Sequence, residues 1–96
     1  MSAPCHTDKV RQITIVNSRG LHARAAAKFV KLAGTYNAEV TVVKNDVEVS
    51  GSSIMGLMTL AAAPGCELEL RARGPAASAA LAALADLVAN KFDEDG

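Results

Sequence analysis

The run Gly20-Leu21-His22-Ala23-Arg24 sets a histidine where a loop gives way to a helix, with an arginine two residues further on. A neutral imidazole nitrogen is a nucleophile near pH 7, and a guanidinium matches the oxygens of a phosphoryl group. A helix N-terminus adds backbone N–H groups that lack acceptors and the positive end of the helix dipole. An anion formed on the ring would therefore be held by donors as well as by charge. Phosphoryl transfer asks mainly for alignment and charge compensation, so one histidine and one arginine suffice. Spacing alone favours a plainer account, in which His22 only caps the helix.

What surrounds these residues narrows the chemistry. No Asp, Glu or Cys near His22 completes a metal set or a nucleophilic triad by spacing, so neither a metal nor a cofactor is expected. Cys5 and His6 stand in a polar N-terminal stretch, and Cys66 stands in a strand pattern with no second thiol near it, which suits a small core filler. Ten Lys plus Arg balance ten Asp plus Glu, and aromatics make up 3% of the chain, which argues against nucleic-acid binding. No apolar run approaches the roughly 18 residues of a membrane span, and no charged-then-apolar leader opens the chain. The expectation is a cytoplasmic protein with no membrane insertion.

The 96 residues, half of them hydrophobic, suffice for one core, so a single domain over 1–96 is expected, with its core at about 10–91 and a tail at 1–8. Residues 10–16 alternate as a strand, with Ile13 and Ile15 on one side. Ala25, Ala26, Phe29, Val30, Leu32 and Ala33 recur at helical spacing, which predicts a helix from about His22 to Ala33, ended by Gly34. Val40 and Val42, then Val47 and Val49, make a hairpin about Asn45-Asp46. A strand at 66–73 turns Cys66, Leu68, Leu70 and Ala72 one way and Glu67, Glu69, Arg71 and Arg73 the other. Gly74-Pro75 starts a last helix, with Leu81, Leu84, Ala85 and Val88 inward to about Lys91, and 92–96 reads as a frayed acidic end. The order β-α-β-β-α-β-α with alternating strands predicts an α+β open-faced β-sandwich: a four-stranded antiparallel sheet with three helices on one face.

The second helix, opened by Ser50 to Ser53 and running through Leu60, is short and nearly all apolar. Leu57 and Leu60 are expected in the core. Ile54, Met55 and Met58 group near the first helix, beside Ala27, where they either join the core or offer a docking surface, to which methionine is suited because it repacks easily against different partners. Burial of all five apolar side chains is the simpler reading for an ordinary domain. Ser53 is a good N-cap, and capping alone justifies a serine there.

On two separated motifs, Gly20-Leu21-His22-Ala23-Arg24 and Ser53-Ile54-Met55-Gly56-Leu57-Met58-Thr59-Leu60, the chain resembles the HPr family of histidine-containing phosphocarriers. These serve the phosphoenolpyruvate-dependent phosphotransferase system and its nitrogen-related branch, and the likeness covers roughly residues 10–91. The resemblance implies that His22 matches the histidine phosphorylated through Nδ1 by enzyme I, that Arg24 matches the active-site arginine, and that EIIA-type proteins are the acceptors. It implies that Ser53 matches the serine modified by an ATP-dependent HPr kinase/phosphorylase, with Ser52 an adjacent candidate. A protein of this kind is expected to be a monomer that turns over phosphate only with its partners, not an enzyme by itself. The rival reading is a regulatory binding module that keeps the Ser53 switch without relaying phosphate. The family commonly has proline where this chain has Ala25, a departure that points toward the nitrogen-related or another divergent branch.

Overall fold

A computed structural model describes residues 9–93. Cys5 and His6, and most of the expected acidic end, lie outside them. The strands are β1 (Lys9–Thr14), β2 (Glu39–Lys44), β3 (Val47–Ser50) and β4 (Glu67–Arg73), and the helices are α1 (Ala23–Ala33), α2 (Ile54–Thr59) and α3 (Ala77–Ala89). The sheet order is β1-β4-β2-β3, every pair antiparallel. Since β4 is antiparallel to both β1 and β2, those two run the same way with β4 threaded between them. By the same logic β3 and β4 are parallel with β2 between them. Two split β-α-β units thus interlock, and the helices fall on one face.

Alternation decides which face. In β4 the side chains of Leu68, Leu70 and Ala72 are buried, level with Ile13 of β1 and with Val40 and Val42 of β2. Phe29 of α1, Leu57 of α2, and Leu81, Leu84 and Val88 of α3 close over them. The opposite face is polar and solvated, as alternation requires. There Arg71 donates to Glu48 at 2.9 Å and to Glu69, and Gln12 donates to Glu69 at 3.1 Å. Cys66 is half-buried and packs against the core, and its Sγ accepts the Ala63 N–H at 3.4 Å.

The connections follow local chemistry. Asn45 and Asp46 both take left-handed backbone angles (φ 49° and 70°), the geometry that suits a tight hairpin and that Asn and Asp tolerate. Six residues are too few to hold a helix unaided, and α2 is pinned at both ends. Ser53 Oγ accepts the Gly56 N–H at 2.9 Å, and Lys44 Nζ reaches over from β2 to the carbonyls of Leu60 (2.9 Å) and Ala61 (3.4 Å). Gly34 does close α1, its N–H donating to the Val30 carbonyl at 3.0 Å, but with an ordinary right-handed backbone.

Two expectations at the C-terminal end fail. Pro75 does not lie in the first turn of the last helix, which begins at Ala77. Gly74 (φ 126°) is pressed against the Asn37 carbonyl, and that oxygen also accepts the Ala76 N–H at 3.1 Å, so this tie must be completed before the helix can start. Nor is the chain frayed from Phe92. Lys91, Phe92 and Asp93 form a turn with φ near 60°, the Phe92 ring is fully buried, and Lys28 Nζ of α1 donates to the Phe92 carbonyl at 2.6 Å. A buried aromatic offsets the cost of the left-handed turn, and composition alone conceals it among acidic neighbours. Replacing Phe92 by alanine should lower the unfolding free energy by about 3–5 kcal/mol, measured by urea denaturation. A loss below about 1 kcal/mol would return the segment to a frayed end.

Candidate functional site

The loop that carries His22 is fastened from below. Ile15 exchanges backbone hydrogen bonds with the segment after α2, its N–H donating to Cys66 (2.9 Å) and its carbonyl accepting from Gly65 (2.8 Å). Asn17 and Gly20 then close on each other. The Gly20 N–H donates to the Asn17 carbonyl at 3.2 Å, and Asn17 Nδ2 donates to the Gly20 carbonyl at 2.8 Å. Gly20 has φ +67°, and a Cβ there would collide with the Ala62 carbonyl oxygen, so only glycine fits without displacement. The same oxygen accepts the Leu21 N–H at 2.9 Å, and the Leu21 side chain is buried.

His22 follows as the N-cap of α1, in extended conformation (φ −80°, ψ −180°). Its carbonyl accepts the Ala26 N–H at 2.8 Å, the first bond of the helix. Its Nδ1 accepts the Arg24 backbone N–H at 3.3 Å. That contact assigns the lone pair to Nδ1 in the neutral ring and points it at the start of the helix. The capping role read from spacing is therefore real, and the same geometry leaves Nδ1 beside the donors an anion would use. The imidazole is half-exposed. Arg24 is exposed, and no acidic residue lies in the first turn to oppose an anion.

The other residues singled out in the sequence gather alongside. α1 and α2 pack against each other. Arg24, half-buried Ala27, Lys28 and Lys31 recur along α1 at the spacing of one helix face. On α2, Leu57 and the cap residue Leu60 are buried, while Ile54 and Met58 are 40% exposed and Met55 73%. The five apolar side chains are thus divided between core and surface, against the simpler reading that buries them all. Ser53 is half-buried and its hydroxyl oxygen is engaged in the cap. Ser52 is exposed, with its hydroxyl 2.8 Å from that of Ser50.

Three supports were not visible in the residue order. Asn17 is the one buried polar side chain among the described residues, yet it reads only as a loop former. The Ala62 carbonyl is a backbone atom and leaves no signal. Lys44 reads as a polar strand end, while its ammonium closes the α2 terminus. Among the described residues no group of three or more His, Cys, Asp or Glu side chains could hold a metal ion, and no helix is long and apolar enough to cross a membrane.

Known proteins resemble this chain in sequence and in fold. Residues 9–90 match the PTS-HPr family, described as the "PTS HPr component phosphorylation site". The phosphocarrier protein HPr of Pseudomonas aeruginosa is 51% identical over 84 residues, covering 86% of this chain and 93% of its own. The phosphocarrier protein NPr of Shewanella violacea is 45% identical over 84 residues, covering 88% and 92%. Among solved structures, HPr-C-His from Thermoanaerobacter tengcongensis superposes with a TM-score of 0.87 at 40% identity, covering 92% of this chain and 99% of that one. With the open-faced sandwich, the histidine-capped helix and matches over nearly the whole length in agreement, the chain belongs to the HPr family of phosphocarriers of the phosphotransferase system.

Proposed function

We propose that His22 is the phosphoryl acceptor of this carrier, loaded by enzyme I with phosphate drawn from phosphoenolpyruvate and unloaded onto EIIA-type proteins. The observation that supports this most directly is the direction of Nδ1, whose lone pair faces the Arg24 N–H at the start of α1. In the transfer, that lone pair forms the N–P bond while the bond from phosphorus to the donor breaks, and the donor keeps the electron pair. A phosphoryl oxygen then takes over the Arg24 N–H that the ring gives up. The helix end stays capped, now by an anion, and charge-assisted bonds of this kind are roughly twice as strong as neutral ones. Arg24, exposed and two residues on, supplies the guanidinium. Ala25 retains a backbone N–H that a proline at this position would lack, which adds a donor to the same turn.

Ala27, Ile54, Met55 and Met58 form the docking surface on this reading, and the carrier works as a monomer. Ser53 is the site of a regulatory phosphate placed by an ATP-dependent kinase. About two negative charges there would sit next to Ile54 and repel an acidic partner. Relatives carrying both the HPr and NPr names are compatible with service to either branch.

Incubation with enzyme I and phosphoenolpyruvate should give an acid-labile, base-stable adduct that His22→Ala abolishes. No adduct on the wild type, or equal labelling of the variant, would reject the relay and leave a binding module without phosphate transfer. Met55→Glu should weaken enzyme I binding by about tenfold with the melting temperature little changed; unaltered affinity would remove Met55 from the contact. With ATP and an HPr kinase, the acid-stable label should disappear in Ser53→Ala, which also loses about 1 kcal/mol of stability with its cap. Label retained in that variant would move the site to Ser52.

A further inference from the structure

We propose that Asn17 is a positioning residue for the phosphoryl-accepting histidine: its buried carboxamide holds the Gly20 carbonyl and so fixes the direction in which His22 presents Nδ1. The inference rests on the reading of His22 as acceptor. Asn17 lies in the loop that leads into α1 and is fully buried. Burying an amide is costly unless hydrogen bonds are made inside the protein, so the bond that Asn17 Nδ2 makes offsets part of the cost of enclosing the side chain. Here the side-chain Nδ2 donates to the Gly20 carbonyl at 2.8 Å, and the Asn17 backbone carbonyl separately accepts the Gly20 N–H at 3.2 Å.

The consequence lies in the peptide that follows. The Gly20 carbonyl and the Leu21 N–H belong to one planar unit, and planarity makes each fix the other. Asn17 holds the first and the Ala62 carbonyl holds the second at 2.9 Å. One peptide plane is thereby tied at both edges, by two segments of chain far apart in sequence. Only Leu21, itself buried, separates that plane from the His22 backbone. Without the Asn17 tie the plane can rotate about its remaining hydrogen bond. His22 would still cap α1 through its carbonyl, but Nδ1 would lose its fixed approach to the Arg24 N–H. In-line transfer is sensitive to such misalignment: displacement by about 1 Å can cost about a hundredfold in rate.

Asn17→Asp keeps the shape and removes the donor, and Asn17→Ala removes both. Two measurements apply to each: steady-state transfer from enzyme I with the carrier as the varied substrate, and the tautomer of the neutral His22 ring from long-range 1H–15N spectra of the isolated protein. The expected result is a kcat lowered about tenfold with KM within about twofold, because the docking surface on α2 is untouched. The ring should also lose its preference for the Nε2-protonated tautomer, while amide signals of α3 and the solvated sheet face keep their positions. Wild-type kcat and tautomer in either folded variant would overturn the proposal. So would a matching loss in KM and in amide signals across the sheet, or failure of both variants to fold, since Asn17 would then serve the fold rather than the ring. Absence of labelling on wild-type protein, with the tautomer shift present in the variants, would reject the relay and leave the positioning intact.

Discussion

The Ala62 carbonyl accepts the Leu21 N–H at 2.9 Å with Gly20 pressed against the same oxygen, and much of the molecule serves to keep that contact. β1 delivers the loop before His22 to one side of it, and the segment between α2 and β4 arrives from the other. Antiparallel pairing of β1 with β4, from Lys9↔Ala72 to Thr14↔Glu67, sets where the two meet. The hydrogen bonds of Ile15 with Gly65 and Cys66 carry the pairing past the end of the strand to the edge of the site. Lys44 holds the other end of the segment by its bonds to the carbonyls of Leu60 and Ala61, just past α2. Residues in β1, β2 and β4 and in the α1–α2 pair therefore have a share in the placement of one half-exposed imidazole.

The interlocked topology explains why a small core can support this. Each split β-α-β unit is incomplete until the other supplies its middle strand, so the register of one determines the other. Alternating side chains make a one-residue slip prohibitive, because it would turn Leu68, Leu70 and Ala72 to water. Rigidity near His22 is thus borrowed from the sheet, while α2, with only Leu57 and its cap residue Leu60 buried, keeps Ile54, Met55 and Met58 available at the surface. The division of that helix between core and surface follows from its length: six residues offer one turn to the sheet and leave the remainder outside.

Much of this is legible in residue order. The strict alternation of residues 66–73, the Asn45-Asp46 turn and the periodicity of residues 25–33 identify strands and helix because each pattern has one burial-compatible geometry. His22 and Ser53 are readable as caps for the same reason, and both side chains accept a backbone N–H. What escapes is of another kind. Phe92 sits among charged residues and is buried only because Lys28 and a left-handed turn bring it back to α1. Pro75 has the composition of a helix start, yet the start is delayed by a contact with Asn37, more than thirty residues earlier. Asn17 resembles any loop asparagine until the fold buries it. Local preferences are written in neighbouring residues, whereas these three depend on what the fold later sets against them.

The cap at His22 also bears on how a carrier can both take and release its cargo. A phosphoryl group bound by new contacts alone would be held more tightly with every donor added, and onward transfer would slow accordingly. In the proposed relay the Arg24 N–H is never orphaned: imidazole Nδ1 accepts it before transfer and a phosphoryl oxygen accepts it afterwards. The helix terminus is satisfied in both states, so only the difference between two acceptors enters the equilibrium. The charge-assisted bond is the stronger of the two, but the gain is less than its full value because a neutral bond is given up for it. The driving force then stays in the N–P bond, where the next acceptor can use it. A histidine at an N-cap thus suits a relay better than one in a deep pocket, for it exchanges a bond it already makes.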